Sequence, residues 1–145
     1  YGKQSVINIY CSMDTDTEDI KQRVRHEILH YCLAVAGLKS GDNEAVFHYL
    51  CGLYDADAYM QMTEDEQSLY ERFLKAKNIV ENNELFSKED NKNIITFLVS
   101  MIAVKQEDMK SEIYKSKEKL FAGILSLENT NICNIGGYEQ LTRQK

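Results

Sequence analysis

Apolar and polar residues alternate with a period of two at the start of the chain and with helical spacing after it. Residues 4–11, Gln-Ser-Val-Ile-Asn-Ile-Tyr-Cys, put Ile7, Ile9 and Cys11 on one side and Val6, Asn8 and Tyr10 on the other. The β-branched and aromatic content agrees with that alternation, so the stretch is predicted to be a strand. A lone strand is not stable. Its partners are expected either in sequence preceding Tyr1 or in the link after residue 11.

From about residue 18 the period becomes helical. Asp16 or Thr17 is a suitable N-cap, and Glu18 and Asp19 suit the positive end of a helix. Val24, Ile28, Tyr31 and Val35 then fall at i, i+4, i+7 and i+11, the spacing of a core face. Gly37 is a natural C′ residue, so this helix should span about 18–36. A short turn follows, and a second helix is predicted from a cap at Asp42 or Asn43 to about residue 58. Its apolar stripe would be Val46, Leu50 and Leu53, with Phe47 and Tyr54 beside it. So short a turn favours antiparallel packing of the two helices.

After about Met60 the texture changes. Thr63-x-x-Glu66 is a capping box for a helix to roughly residue 82, with Leu69, Phe73, Ala76 and Val80 on one face. Asn82-Asn83 breaks it. Ser87-x-x-Asp90 is a second cap, and Ile94 to Val104 is the most apolar run, read as a buried helix. Residues 106–127 make a long charged helix with Met109, Ile113, Leu120 and Ile124 inward, and residues 129–137 read as a loop before a polar tail.

A chain of 145 residues is enough for one domain with a core, or a small domain with a helical extension. We divide it into 1–59 and 60–145. The absence of proline and the seven glycines suit a mainly helical chain. The net charge of −6 comes with no basic stripe, which argues against nucleic acid as a partner. No run is apolar and long enough for a membrane span, and no signal-peptide pattern stands out. None of the four cysteines forms C-x-x-C. They read as buried, reduced thiols of a cytoplasmic protein, with a disulfide in a secreted enzyme as the alternative.

The candidate chemistry sits in His26-Glu27-Ile28-Leu29-His30. Histidines four apart on a helix lie about 40° apart around its axis, so both rings reach one point. That is what zinc asks of two imidazoles, and the glutamate after the first histidine can serve as general base toward a water the metal activates. His26 and His30 lie on a different face from the apolar stripe. Catalytic zinc takes three protein ligands. Glu44, opening the next helix, is the first choice for the third. His48 is the second choice, or a group that orients a ligand. Asp55 reads as a solvated helix residue.

The stretch from Arg25-His26-Glu27-Ile28-Leu29-His30 to Ala36-Gly37-Leu38, followed by Asp42-Asn43-Glu44, resembles the small zincin-like metallopeptidases of phages and mobile elements. The match covers about residues 5–58. Tyr31-Cys32, Ala36 and His48 depart from that family's pattern. The resemblance implies His26, His30 and Glu44 as zinc ligands and Glu27 as base. It implies an α+β, mostly helical fold, with a zincin-like core of strand, H-E-x-x-H helix and ligand helix. The expected function is zinc-dependent hydrolysis of peptide bonds in a peptide or protein substrate. The competing expectation is a noncatalytic helical interaction or regulatory protein whose metal is structural or absent.

Overall fold

The computed structural model describes residues 6–136, with side chains described through residue 127. Five α-helices and one 3-10 turn account for its regular structure: α1 Thr17–Val35, α2 Ala45–Tyr54, α3 Glu64–Glu81, α4 Lys88–Ala103, the turn Gln106–Lys110, and α5 Glu112–Gly136. Among the described residues there is no strand, so the α+β expectation is corrected to an all-helical fold. Residues 6–11 belong to no element, and residues 4 and 5 lie outside the described ones. Alternation alone marks an extended backbone. A strand also needs a ladder partner for its N–H and C=O groups, and the described residues offer none.

The chain divides into two compact units, residues 1–68 and 69–145. In the first unit α1 packs against α2. The buried residues of α1 are His26, Leu29 and Leu33. The predicted stripe faces outward, with Ile28 44 %, Tyr31 46 % and Val35 50 % exposed. The face is rotated because imidazole can be buried at little cost when its nitrogens find partners, and here they do. Gly37 ends the helix as expected, at φ 76°, with the Leu38 N–H returned to the Leu33 carbonyl oxygen.

Helix α2 begins later and ends earlier than its sequence suggests. Glu44, with extended backbone, is its N-cap, so Asp42 and Asn43 stay in the turn. Asp55 stops the helix in the left-handed region, at φ 55° and ψ 55°. Ala45, Val46, Phe47 and Cys51 are buried, whereas Leu53 and Tyr54 are exposed. Of the expected capping box at α3, only the Glu66 N–H to Thr63 Oγ1 half forms, at 3.3 Å. The Glu66 carboxylate instead reaches the Lys39 ammonium at 2.8 Å and the Ala45 N–H at 2.9 Å. It thereby caps α2 at its first residue.

In the second unit α4 opens with a complete capping box between Ser87 and Asp90 and buries Leu98, Met101, Ile102 and Ala103. It packs on α5. There Tyr114, Phe121 and Ile124 are buried, while Ile113 and Leu120, expected inward, are exposed. The two aromatic rings offer more area to bury than the aliphatic positions beside them. The guanidinium of Arg72 lies 4.9 Å from the Phe121 ring centroid, a cation–π contact. Residues 129–136, expected as loop, continue the backbone of α5. No helix among the described residues is long and apolar enough to cross a membrane.

Candidate metal centre

One helical turn of α1 separates His26 from His30, and both rings lean toward α2. The His30 ring stacks on Phe47 with centroids 4.0 Å apart and planes 8° from parallel. The His26 ring meets Phe47 edge-on at 4.9 Å. Phe47 is wholly buried, so it forms a rigid floor under both imidazoles. The Tyr59 ring also lies against His26, at 4.7 Å.

Backbone carbonyls fix the tautomer of each histidine. His26 Nδ1 lies 2.6 Å from the Asp57 carbonyl oxygen, and His30 Nδ1 lies 2.5 Å from that of Ser40. A carbonyl oxygen only accepts, so each Nδ1 carries the proton and donates. In a neutral ring the Nε2 atom then presents a bare lone pair. The two Nε2 atoms are 3.2 Å apart. Asp42 Oδ1 completes the triangle, 3.1 Å from His26 Nε2 and 3.0 Å from His30 Nε2.

With both rings neutral, three acceptors converge with no donor among them, inside the range where a hydrogen bond would require one. A metal ion at the centre of the triangle, or a proton on one Nε2, supplies the positive charge this grouping lacks. Its size fits a metal: ligands about 2.0–2.1 Å from zinc at the tetrahedral angle stand about 3.3 Å from each other. The edges of 3.0–3.2 Å are slightly tighter than that. His26 is 3 % exposed, so this candidate ligand is withdrawn from solvent, while the Asp42 side chain keeps 39 % exposure and leaves an open side.

Asp42, which the sequence offered as a helix cap, thus occupies the position expected of Glu44. Glu44 turns back on its own loop, its Oε1 accepting from the Gly41 N–H at 2.7 Å. A Cβ at position 41 would stand 3.2 Å from that oxygen, so glycine suits the close approach. His48 does not join the triangle. Its Nε2 donates to the Asp42 carbonyl oxygen at 2.9 Å and anchors the residue that does. Asp55 is solvated, as expected, with its side chain 73 % exposed, and it also ties two helices together. Its Oδ1 accepts from Gln22, its carbonyl oxygen accepts from Arg25 at 3.0 Å, and its carboxylate pairs with Arg25 at 3.6 Å, fastening the end of α2 to α1.

Glu27 Oε2 is 3.8 Å from His26 Nε2, beside the triangle and outside it. Two clefts meet at Glu27. One, of about 270 Å³, includes Asn8, Tyr10, Arg23 and Tyr59 in its lining. The other, of about 500 Å³, includes Val6, Ile7, His30, Tyr31 and Ala34. Tyr59 has its hydroxyl pKa raised, first by burial and then by the Asp57 charge, and so stays a proton donor at neutral pH.

The cysteines lie outside the triangle. Cys51 is buried and donates to the Asp57 carbonyl oxygen that also serves His26, at 3.4 Å. Burial pushes its thiol up to about 11. Cys11 and Cys32 are free and exposed, not buried as expected, and the Cys133 side chain lies outside the described ones.

Sequence reasoning missed Asp42, the Asp57 carbonyl and Tyr59. The signal for Asp42 was the Ser40-Gly41-Asp42 turn directly after the Gly37 stop, which keeps Asp42 beside the end of α1. No known protein-family model, curated protein or solved structure matches this chain.

Proposed function

We propose that this chain is a zinc-dependent peptidase domain in which His26, His30 and Asp42 hold the metal and Glu27 is the general base. The observation that carries the reading is the convergence of two Nε2 atoms and one carboxylate oxygen within 3.0–3.2 Å of one another. The likeness of residues 25–38 to zincin-like metallopeptidases supports the helix-borne part of the site. The zincin β-sheet is no part of this proposal.

Zinc bound there would act as a Lewis acid and bring the pKa of a coordinated water toward neutrality. The Asp57 and Ser40 carbonyls keep both rings in the tautomer that ligates, and Phe47 holds their planes. Glu27 faces both clefts, where its carboxylate accepts the proton of the attacking water and returns it to the leaving amine.

Metal analysis of protein purified without added zinc tests the site. About one zinc per chain is expected, with loss in His30→Ala. Glu27→Gln should keep the zinc and lose peptide hydrolysis; undiminished turnover in that variant refutes the base. A second reading, a noncatalytic interaction protein, draws on the exposed apolar face of Ile28, Tyr31 and Val35. Tight self-association of metal-free protein, abolished by Tyr31→Asp, would favour it.

A further inference from the structure

Asn8, Tyr10 and Glu27 line both clefts, so together they form the partition between them. Two of these three stand on the stretch 6–10, which also supplies Val6 and Ile7 to the larger cleft and Ile9 to the smaller. The stretch therefore passes beside Glu27 with a cleft on either side of it. A peptide hydrolysed at Glu27 needs room for its chain on both sides of the scissile bond, and here that room is split in two.

Little holds the stretch in place. Among the described residues, no backbone N–H or carbonyl oxygen of residues 6–9 finds a hydrogen-bond partner. Tyr10 has one, its carbonyl oxygen accepting from the Arg23 guanidinium at 2.5 Å. Val6 is 73 % exposed and Tyr10 82 %, and within the stretch only Ile9 is half-buried. Few hydrogen bonds and little burial put a segment at the low end of local stability. Just beyond Tyr10 the chain is fixed again. The Ser12 N–H donates to Thr15 Oγ1 at 2.9 Å, and the Thr15 N–H to the Ser12 carbonyl oxygen at 3.1 Å, closing a turn ahead of α1. That turn is a pivot, and Arg23 and Ile9 are the two tethers in front of it.

We infer that residues 6–10 are a strap across the substrate groove, clasped by Arg23 and displaced when an extended peptide binds. Lifting the strap joins clefts of about 270 and 500 Å³ into one groove past Glu27. A seated strap lowers the affinity for peptide by the fraction of molecules in which it is open, so weakening either tether raises that affinity. This inference deepens the peptidase reading and rests on it for what the groove receives, so its test reads the strap separately from the metal.

Two probes are titrated calorimetrically into zinc-loaded protein. Acetohydroxamate needs the metal alone. A phosphinic pseudopeptide with two alanines on each side of the phosphinate needs the metal and both clefts. Arg23→Ala should bind the pseudopeptide about three- to tenfold more tightly than wild type, the fold-change of one hydrogen bond, with acetohydroxamate unchanged. Ile9→Ala, which weakens the other tether without touching Arg23, should act in the same direction. The strap itself is followed by the distance between nitroxides at Asn8→Cys and Val35→Cys, with Cys11→Ser, Cys32→Ser and Cys133→Ser. One narrow distance is expected in the free protein, a broadened one in Arg23→Ala, and a shifted one with pseudopeptide bound. Pseudopeptide affinity that is unchanged or lowered in both tether variants, or a nitroxide distance that pseudopeptide binding leaves in place, overturns the strap. If neither probe binds, the metal reading fails; a narrow distance that Arg23→Ala broadens then still upholds the clasp, and one it leaves narrow refutes it.

Discussion

Replacing Asp42 by asparagine should act in opposite directions with and without metal. The substitution keeps the shape of the side chain, removes one negative charge and adds an N–H donor. In metal-free wild type at a pH where both imidazoles are neutral, Asp42 Oδ1 and the two Nε2 atoms face one another as acceptors at 3.0–3.2 Å. The introduced amide can donate to one of those nitrogens, a hydrogen bond contributing about 0.5–1.5 kcal/mol. With chelator present, the variant should therefore be at least as stable as wild type. With zinc present the order inverts. At free zinc 100-fold above the dissociation constant, binding stabilises the folded state by about 2.7 kcal/mol, and a 100-fold weaker site retains only about 0.4. For a chain of this length the difference of about 2.3 kcal/mol corresponds to about 5–9 °C in the midpoint. Thermal melts of both proteins, with chelator and with zinc at fixed free concentration, give the four values. The expected pattern is a crossing, the variant equal or higher without metal and clearly lower with it. Equal zinc-induced shifts in the two proteins would refute the triangle as the ligand set.

Further outcomes follow from neighbouring contacts. His48→Ala removes the donor that holds the Asp42 carbonyl, so calorimetric zinc affinity should fall about 10–100-fold with the fold intact by circular dichroism. Glu66→Ala leaves Lys39, 9 % exposed, without its partner and uncaps the Ala45 N–H; urea unfolding should show a loss of about 3 kcal/mol. Cys51 should resist iodoacetamide at about pH 8 while Cys11 and Cys32 react, as read by mass spectrometry of the labelled peptides. Because its folded pKa of about 11 lies above the ordinary thiol value of 9.0, the Cys51 contribution to stability is full below pH 9.0 and is lost as pH rises toward 11. Cys51→Ser should flatten that alkaline decline.

Helix positions were largely legible in the sequence, because caps such as Ser87 and Asp90 and stops such as Gly37 act within a few residues. Which face turned inward was less so. The pattern at Val24, Ile28, Tyr31 and Val35 is as apolar as a core stripe, yet His26, Leu29 and Leu33 are the buried set. Periodicity weighs hydrophobicity alone and does not register carbonyls from residues 40 and 57 that satisfy two imidazoles. The His-Glu-His part of the site was readable because one helix fixes its spacing. The carboxylate that meets the two histidines was not, since the choice between Asp42 and Glu44 turns on whether α2 starts at residue 43 or 45. That start is set in part by Glu66, far along the chain, whose carboxylate accepts from the Ala45 N–H. The stretch 6–11 was misread as a strand, because alternation carries no information about a pairing partner, and in the structure it belongs to no element.

The Glu66 bridge also bears on how the chain can be cut. A fragment ending at residue 59 contains His26, Glu27, His30, Asp42 and His48, and by motif alone it looks sufficient. It omits the carboxylate that neutralises Lys39 and closes the first turn of α2, so the loop presenting Asp42 would lose a tether at each end. The smallest piece that retains a preorganised site must therefore run through the opening turn of α3, to about Ser68, where the first compact unit ends. Cutting the chain between residues 60 and 63 would break the covalent link to Glu66 at a point outside the His26–His30–Asp42 triangle.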